Sequence, residues 1–162
     1  MRATLANTKR QRISLKDEIE TLTLYLELEQ LRLNNKFSYE ILVDETIDTQ
    51  YEQIPSMLIQ PYVENAIWHG ISHKEGNGII RIQFLPENEH LLKCVVEDNG
   101  IGRENAIKLK QNTTSPSFGM NITKERVELL NSLNGNQLSV KINDLKINNQ
   151  PAGTRVELYV PI

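Results

Sequence analysis

The chain has 162 residues, enough for one domain with a sizeable core, and 39% of them are hydrophobic. Its 18 basic and 21 acidic side chains leave a formal charge of −3, and no basic cluster interleaves with aromatics, which argues against nucleic acid as the main partner. No apolar run nears the length of a membrane span and the opening MRATLANTKRQR lacks the apolar segment of a secretory signal, so the chain as given is expected to be soluble.

Ser14 to Asn34 is predicted as a long helix, opened by Ser14 with Asp17 three residues on, a carboxylate form of the capping box. Leu15, Ile19, Leu22, Leu26 and Leu33 fall on one stripe. Leu24, Leu28 and Leu31 fall opposite, since steps of about 100° per residue put Leu24 roughly 180° from Leu15. A helix apolar on two sides touches two partners: its own domain and a second subunit or neighbouring helix, or two parts of one monomer.

Phe37 to Val43 alternates apolar Phe37, Tyr39, Ile41 and Val43 with smaller or polar residues, which predicts a half-buried strand. The acidic run DETIDTQYEQI then connects to Pro55–Gly70, where Leu58, Tyr62, Ala66 and Ile59, Val63, Ile67 recur at helical spacing. One face of this helix should pack on a sheet while Asn65 and His69, four apart, share another. Pro61 removes a hydrogen bond, so the helix is either kinked or begins near Pro61; Gly70 is expected to end it, with a loop over 71–78. Asn65 offers a neutral carbonyl oxygen of the kind that completes a Mg²⁺ shell when phosphates and waters supply the rest.

Ile79–Leu85 and Leu91–Glu97 are predicted as an antiparallel pair turning at Pro86 to Glu89, with the only cysteine, Cys94, as a small core residue in the second strand. The second strand runs into Asp98-Asn99-Gly100-Ile101-Gly102, which places a carboxylate at a rim beside two backbone positions able to approach a flat ligand closely. A carboxylate acceptor there suits an exocyclic amine such as that of adenine, although such turns commonly only reverse the chain. Arg103–Lys110 reads as a short helix and Gln111–Phe118, QNTTSPSF, as a mobile loop. Gly119–Leu133 reads as a helix whose N-terminus, led by Ser117-Phe118-Gly119-Met120-Asn121, offers free N–H groups and the positive dipole end to phosphate. Gln137–Ile147 and Gly153–Val160 close the chain as strands, with a Thr154 hydroxyl within reach of the adenine side. The expected fold class is α+β, a two-layer sandwich with a mixed sheet and helices on one face.

In this order and spacing, PSMLIQPYVENAIWHGI, VEDNGIG, SFGMNITKERVELL and GTRVELYVPI resemble the N, G1, G2 and G3 boxes of the Bergerat (GHKL) ATP-binding fold, and more narrowly the LytS/YehU-like sensor histidine kinases. EIETLTLYLELEQLRLNNKF is similar to the helix that precedes the ATP domain in that family, so the resemblance runs from about Ser14 to the end. It implies residues 1–34 as the end of a dimerisation or linker region and 35–162 as an ATP-binding catalytic domain. It further implies Mg²⁺ on Asn65, the adenine amine on Asp98, an adenine pocket shaped by Gly100, Ile101 and Gly102, a phosphate loop at Gly119 and Met120, and an ATP lid over 103–118. Three features depart from the family pattern. None of His69, His73 or His90 has the proline-histidine-phenylalanine setting of the phosphate acceptor, Ser117 replaces the first glycine usual in the G2 box, and Trp68 stands where lysine is frequent.

The resemblance implies a kinase fragment that binds MgATP and hands the γ-phosphoryl to a histidine on a helical hairpin of a parent protein. That parent would be a homodimer in the bacterial inner membrane, with this domain on the cytoplasmic side and a cognate response regulator as partner. Positioning and charge neutralisation dominate such transfer, with His69 a candidate contributor and Glu64 either the acceptor of the incoming imidazole's proton or a structural ion-pair partner. A GHKL ATPase or anti-sigma-type serine kinase would carry a glutamate one turn before Asn65, where this chain has Pro61. A degenerate nucleotide module signalling through the two-sided helix is the other alternative, supported by Ser117 and Trp68.

Overall fold

A computed structural model describes residues 12–111 and 138–162. The chain runs β1 (Arg12–Ser14), α1 (Leu15–Arg32), β2 (Phe37–Val43), β3 (Gln53–Pro55) and α2 (Gln60–Asn65), which continues as a π-helical turn over Ala66–Ile71. Then follow β4 (Gly78–Asn88), β5 (Leu91–Asp98), α3 (Gly102–Gln111), β6 (Ser139–Ile147) and β7 (Gln150–Pro161). The main sheet has five strands in the order β2-β4-β5-β7-β6; β2 is parallel to β4 and every other neighbour is antiparallel. This is the mixed sheet and α+β class expected from the pattern.

Period-two alternation sorts the sheet faces. Ile80, Ile82 and Phe84 of β4, Leu92, Cys94 and Val96 of β5, and Val156, Leu158 and Val160 of β7 are buried in one cluster with the helices. The other face carries a charged network around the buried Val95: Arg155 bonds Glu97 at 2.8 Å and Glu157 at 3.0 Å, and Lys93 lies 3.6 Å from Glu157. Only one face therefore needs covering, and α1, α2 and α3 cover it.

The Ser14 hydroxyl accepts the Asp17 N–H at 3.2 Å, so the expected cap opens α1. Leu15, Leu22 and Leu26 are fully buried in the sheet's own cluster, each worth about 2 kcal/mol of burial. Leu24, Leu28 and Leu31, at 63%, 64% and 74% exposure, face outward. The second apolar side is thus not buried within the monomer. A short ribbon pairing Ile13 with Ile54, which the sequence pattern did not signal, ties the start of α1 to β3, and the Arg12 guanidinium donates to the Pro161 carbonyl at 2.9 Å.

α2 begins at Gln60 with Pro61 in its first turn, where the missing N–H costs nothing. Gly70 does not end the helix, contrary to expectation: the chain stays helical to Ile71, and the Ser72 N–H reaches back five residues to the Ile67 carbonyl at 2.8 Å. The Lys36 ammonium caps the Ser72 carbonyl at 2.8 Å. β4 runs past the expected turn to Asn88, with a bulge between Pro86 and Asn88. β7 begins at Gln150 rather than Gly153, because Asn148 and Asn149 take φ of 52° and 63° and make a two-residue reversal. The predicted helix over 119–133, most of the loop before it and the start of the strand at Gln137 lie outside the described residues. No described helix is long and apolar enough to cross a membrane.

Candidate functional site

The π-helical turn after α2 lies over the ends of β5 and β7, and a cavity of about 470 Å³ opens between it, α3 and the sheet. Asn65, His69 and Gly70 line it from the helix, Asp98 and Val96 from β5, Thr154 and Val156 from β7, and Ile142 from β6. Gly102, Arg103, Ala106 and Ile107 complete one wall. The amide, the imidazole, the carboxylate and the Thr154 residue singled out in the sequence thus share one hollow, although they are up to 89 positions apart in the chain.

Asp98 is its chemical centre. It is 5% exposed, and burial pushes its carboxyl up to about 6, against the lowering effect of the Gly100 and Thr154 backbone donors and of Lys74. The Gly100 N–H donates to Asp98 Oδ1 at 2.8 Å, and the Ile101 N–H donates to the Gly70 carbonyl at 3.2 Å. A carboxylate in this setting keeps acceptor capacity toward the cavity and gains from a ligand N–H donor.

Backbone contact builds the floor. A Cβ on Gly100 would lie 2.4 Å from the Gly70 carbonyl carbon, and one on Gly153 would lie 2.0 Å from the Asp98 carbonyl oxygen. A Cβ on Gly70 would meet Asp98 Oδ1 at 2.8 Å. Glycine at these positions lets helix, turn and strand pack main chain on main chain, and Gly70, read from the sequence only as a helix stop, is needed for that contact. Gly100 and Ile101 act through their backbones rather than as lining, whereas Gly102, at φ 82°, lines the cavity.

The remaining sequence candidates fall elsewhere. Glu64 is not among the lining residues: it accepts from Gln60 Nε2 at 3.3 Å and acts electrostatically on Tyr25 of α1. Trp68 turns to the same side, with the Arg32 guanidinium 4.0 Å over its ring and its indole bonded to Tyr25. Gly119, Met120 and Ser117 lie outside the described residues. Sequence reasoning missed Tyr62 and Ile142 as lining, whereas Arg103, at the head of the expected lid, lines the cavity too. Tyr62 carried a signal, one helical turn before Asn65's neighbour Ala66; Ile142 carried none, because β6 reaches the cavity only through sheet order.

The arrangement defines first a class. A mycobacterial sensor histidine kinase, MprB, aligns over 93% of this chain and 96% of its own, with a TM-score of 0.61 at 16% identity. The histidine kinase ThkA in complex with the response regulator protein TrrA aligns over 93% of this chain and 41% of its own, with a TM-score of 0.52 at 18% identity. The fold is that of a histidine kinase catalytic domain. Among sequences, the sensor protein LytS of Oceanobacillus iheyensis is 32% identical over 99% of this chain, and the sensor histidine kinase BtsS of Escherichia coli 34% identical over 71%. In sequence and fold the chain matches the kinase domain of the LytS-like sensor histidine kinases, a GHKL domain. It spans 27% of that LytS and 19% of BtsS, less than half of the curated relatives it matches. No protein-family model matches the chain.

Proposed function

We propose that this chain is the ATP-binding catalytic domain of a sensor histidine kinase, holding MgATP in the cavity and delivering its γ-phosphoryl to a histidine outside this chain. The observation that carries the reading is the buried Asp98 carboxylate at the base of a largely apolar cavity rimmed by Asn65 and His69. Asp98 accepts the adenine amine, with Thr154 beside it and the ring between Val96, Val156 and Ile142. Asn65 is the rim oxygen that fits Mg²⁺, whose charge would offset that of the phosphates. His69 neighbours the phosphate end, and the phosphate loop is assigned to Gly119 and Met120.

Among the described lining residues Asp98 is the one acid, and it is committed to the base. No other described carboxylate stands in the cavity to activate water, which favours transfer to an external acceptor over hydrolysis. Glu64, held by Gln60 beside Tyr25, serves the contact between α1 and α2 in this reading. The same proposal takes from the family resemblance a membrane-anchored parent, a helical hairpin bearing the acceptor histidine, a homodimer and a cognate response regulator; ThkA, one structural neighbour, is seen in complex with such a regulator.

Calorimetry with MgATP tests it. Micromolar to millimolar binding is expected, with Asn65→Ala losing the magnesium-dependent part and Asp98→Asn losing preference for ATP over GTP. No binding at millimolar nucleotide overturns the reading. Supplying the parent's helical hairpin in trans should yield acid-labile phosphate on it, and release of free phosphate alone would mark a hydrolase instead.

A further inference from the structure

We propose that Arg103 and Asp144 form a latch that sets one wall of the cavity, making Arg103 a positioning residue for the ligand; this rests on the cavity being the nucleotide site. Strand register places Asp98, Thr154 and Asp144 in one row across β5, β7 and β6. The first two line the cavity, and the third, at the sheet edge, receives Arg103 Nε at 2.7 Å and Nη2 at 2.8 Å. Arg103 itself lines the cavity from the first turn of α3. The ion pair therefore joins the two elements that close this side of the hollow: α3, which contributes Ala106 and Ile107, and β6, which contributes Ile142.

Among the described residues, Arg103–Asp144 is the one ion pair that ties α3 to the sheet. Ala106 is buried, while Ile107 and Leu109 are largely exposed. A two-point guanidinium fork fixes orientation as well as distance, which a single ammonium contact does not. Both partners are about two-fifths exposed, so the pair is modest in strength and acts by choosing where the helix rests against β6. Holding Ala106 and Ile107 opposite Ile142 keeps the cavity wall in place before the ligand arrives, which lowers the ordering cost of binding.

The test uses the 162-residue chain with Asp144→Asn, Arg103→Gln, Arg103→Lys and the Arg103→Gln/Asp144→Asn double variant. Amide hydrogen exchange without ligand should quicken over residues 104–111 by a similar factor in every variant, the lysine one included, with the double variant no worse than the singles. MgATP and adenosine should both bind about three- to tenfold more weakly in each. Unchanged exchange over 104–111 in Asp144→Asn overturns the latch. So does a loss confined to ATP, absent in Asp144→Asn and restored in Arg103→Lys, because that pattern belongs to a direct phosphate contact. If the wild-type chain binds neither ligand while exchange quickens as stated, the nucleotide reading fails and the latch stands.

Discussion

Asp98 and Asp144 lie in the same cross-strand row, two strands apart, and their surroundings drive them in opposite directions. Asp98 is buried against glycine backbone, and desolvation raises its pKa to about 6 against the opposing pull of Lys74. Asp144 sits at the sheet edge in a bidentate pair with Arg103, whose hydrogen bonds hold its carboxyl below the ordinary value. One carboxylate is held by backbone donors at the wall of the cavity, where the proposed function uses it; the other is spent on an ion pair. Residue type and cross-strand row are shared, so solvation and partner separate the proposed ligand acceptor from the proposed latch.

The largest expected break comes from the backbone beneath Asp98. Gly100→Ala forces a Cβ to 2.4 Å from the Gly70 carbonyl carbon and disturbs the N–H that Asp98 accepts, so urea denaturation should show a loss of about 3 kcal/mol. An undiminished midpoint would mean that the contact between the turn and the π-helical segment is not tight.

Next in size is the titration of Asp98 itself. Its native pKa, about 6, exceeds the ordinary 3.8, so the native state holds the proton more tightly across that interval. The stability this contributes is fully present below about pH 3.8 and is lost as pH rises through about 6, a swing on the order of 2 to 3 kcal/mol. Asp98→Asn should abolish this part of the pH profile, measured as unfolding free energy between pH 4 and pH 8. Adenine-nucleotide affinity should run the other way in the wild-type chain, rising as the carboxylate forms through about pH 6. A profile identical in the variant would show that Asp98 is not the titrating group.

The smallest effect belongs to Asp144, and its sign is reversed. A lowered carboxyl stabilises the native state above its unfolded value and loses that contribution as pH falls through the native one, so Asp144→Asn should matter at pH 7 and vanish in strong acid. Exposure limits the loss to about 1 kcal/mol or less, shrinking with added salt. A larger, salt-insensitive loss would mean that Asp144 holds more than Arg103.

Much of this was legible in the chain because local pattern and local structure coincide. The Ser14 cap, the strand Phe37–Val43, the Leu15, Leu22 and Leu26 stripe and the strand running into Asp98 all follow from spacing alone. Three of the four box resemblances, each short, pointed to Asn65, His69, Asp98, Gly102 and Thr154, which line one hollow, while the fourth lies outside the described residues. Gly70 was misread because a glycine after a helical run ordinarily terminates it, and the signal that it continues lies in Gly100, thirty positions on. Glu64 and Trp68 flank Asn65 and His69 in sequence, yet rotation about the helix turns them toward α1, where Tyr25 and Arg32 wait.

The amino-acid order by itself determined the longer described elements, the inward face of the main-sheet strands and which polar groups were candidates for the site, since these depend on side-chain periodicity and turn chemistry within a few residues. Tertiary structure alone decided that Gly100 packs on Gly70, that Gly70 meets the Asp98 carboxylate and Gly153 its main chain, and that Arg103 finds Asp144 across forty-one positions. Solvent exclusion and cross-strand register are properties of the assembled sheet, and they set how a buried acid titrates and which cation an exposed one holds.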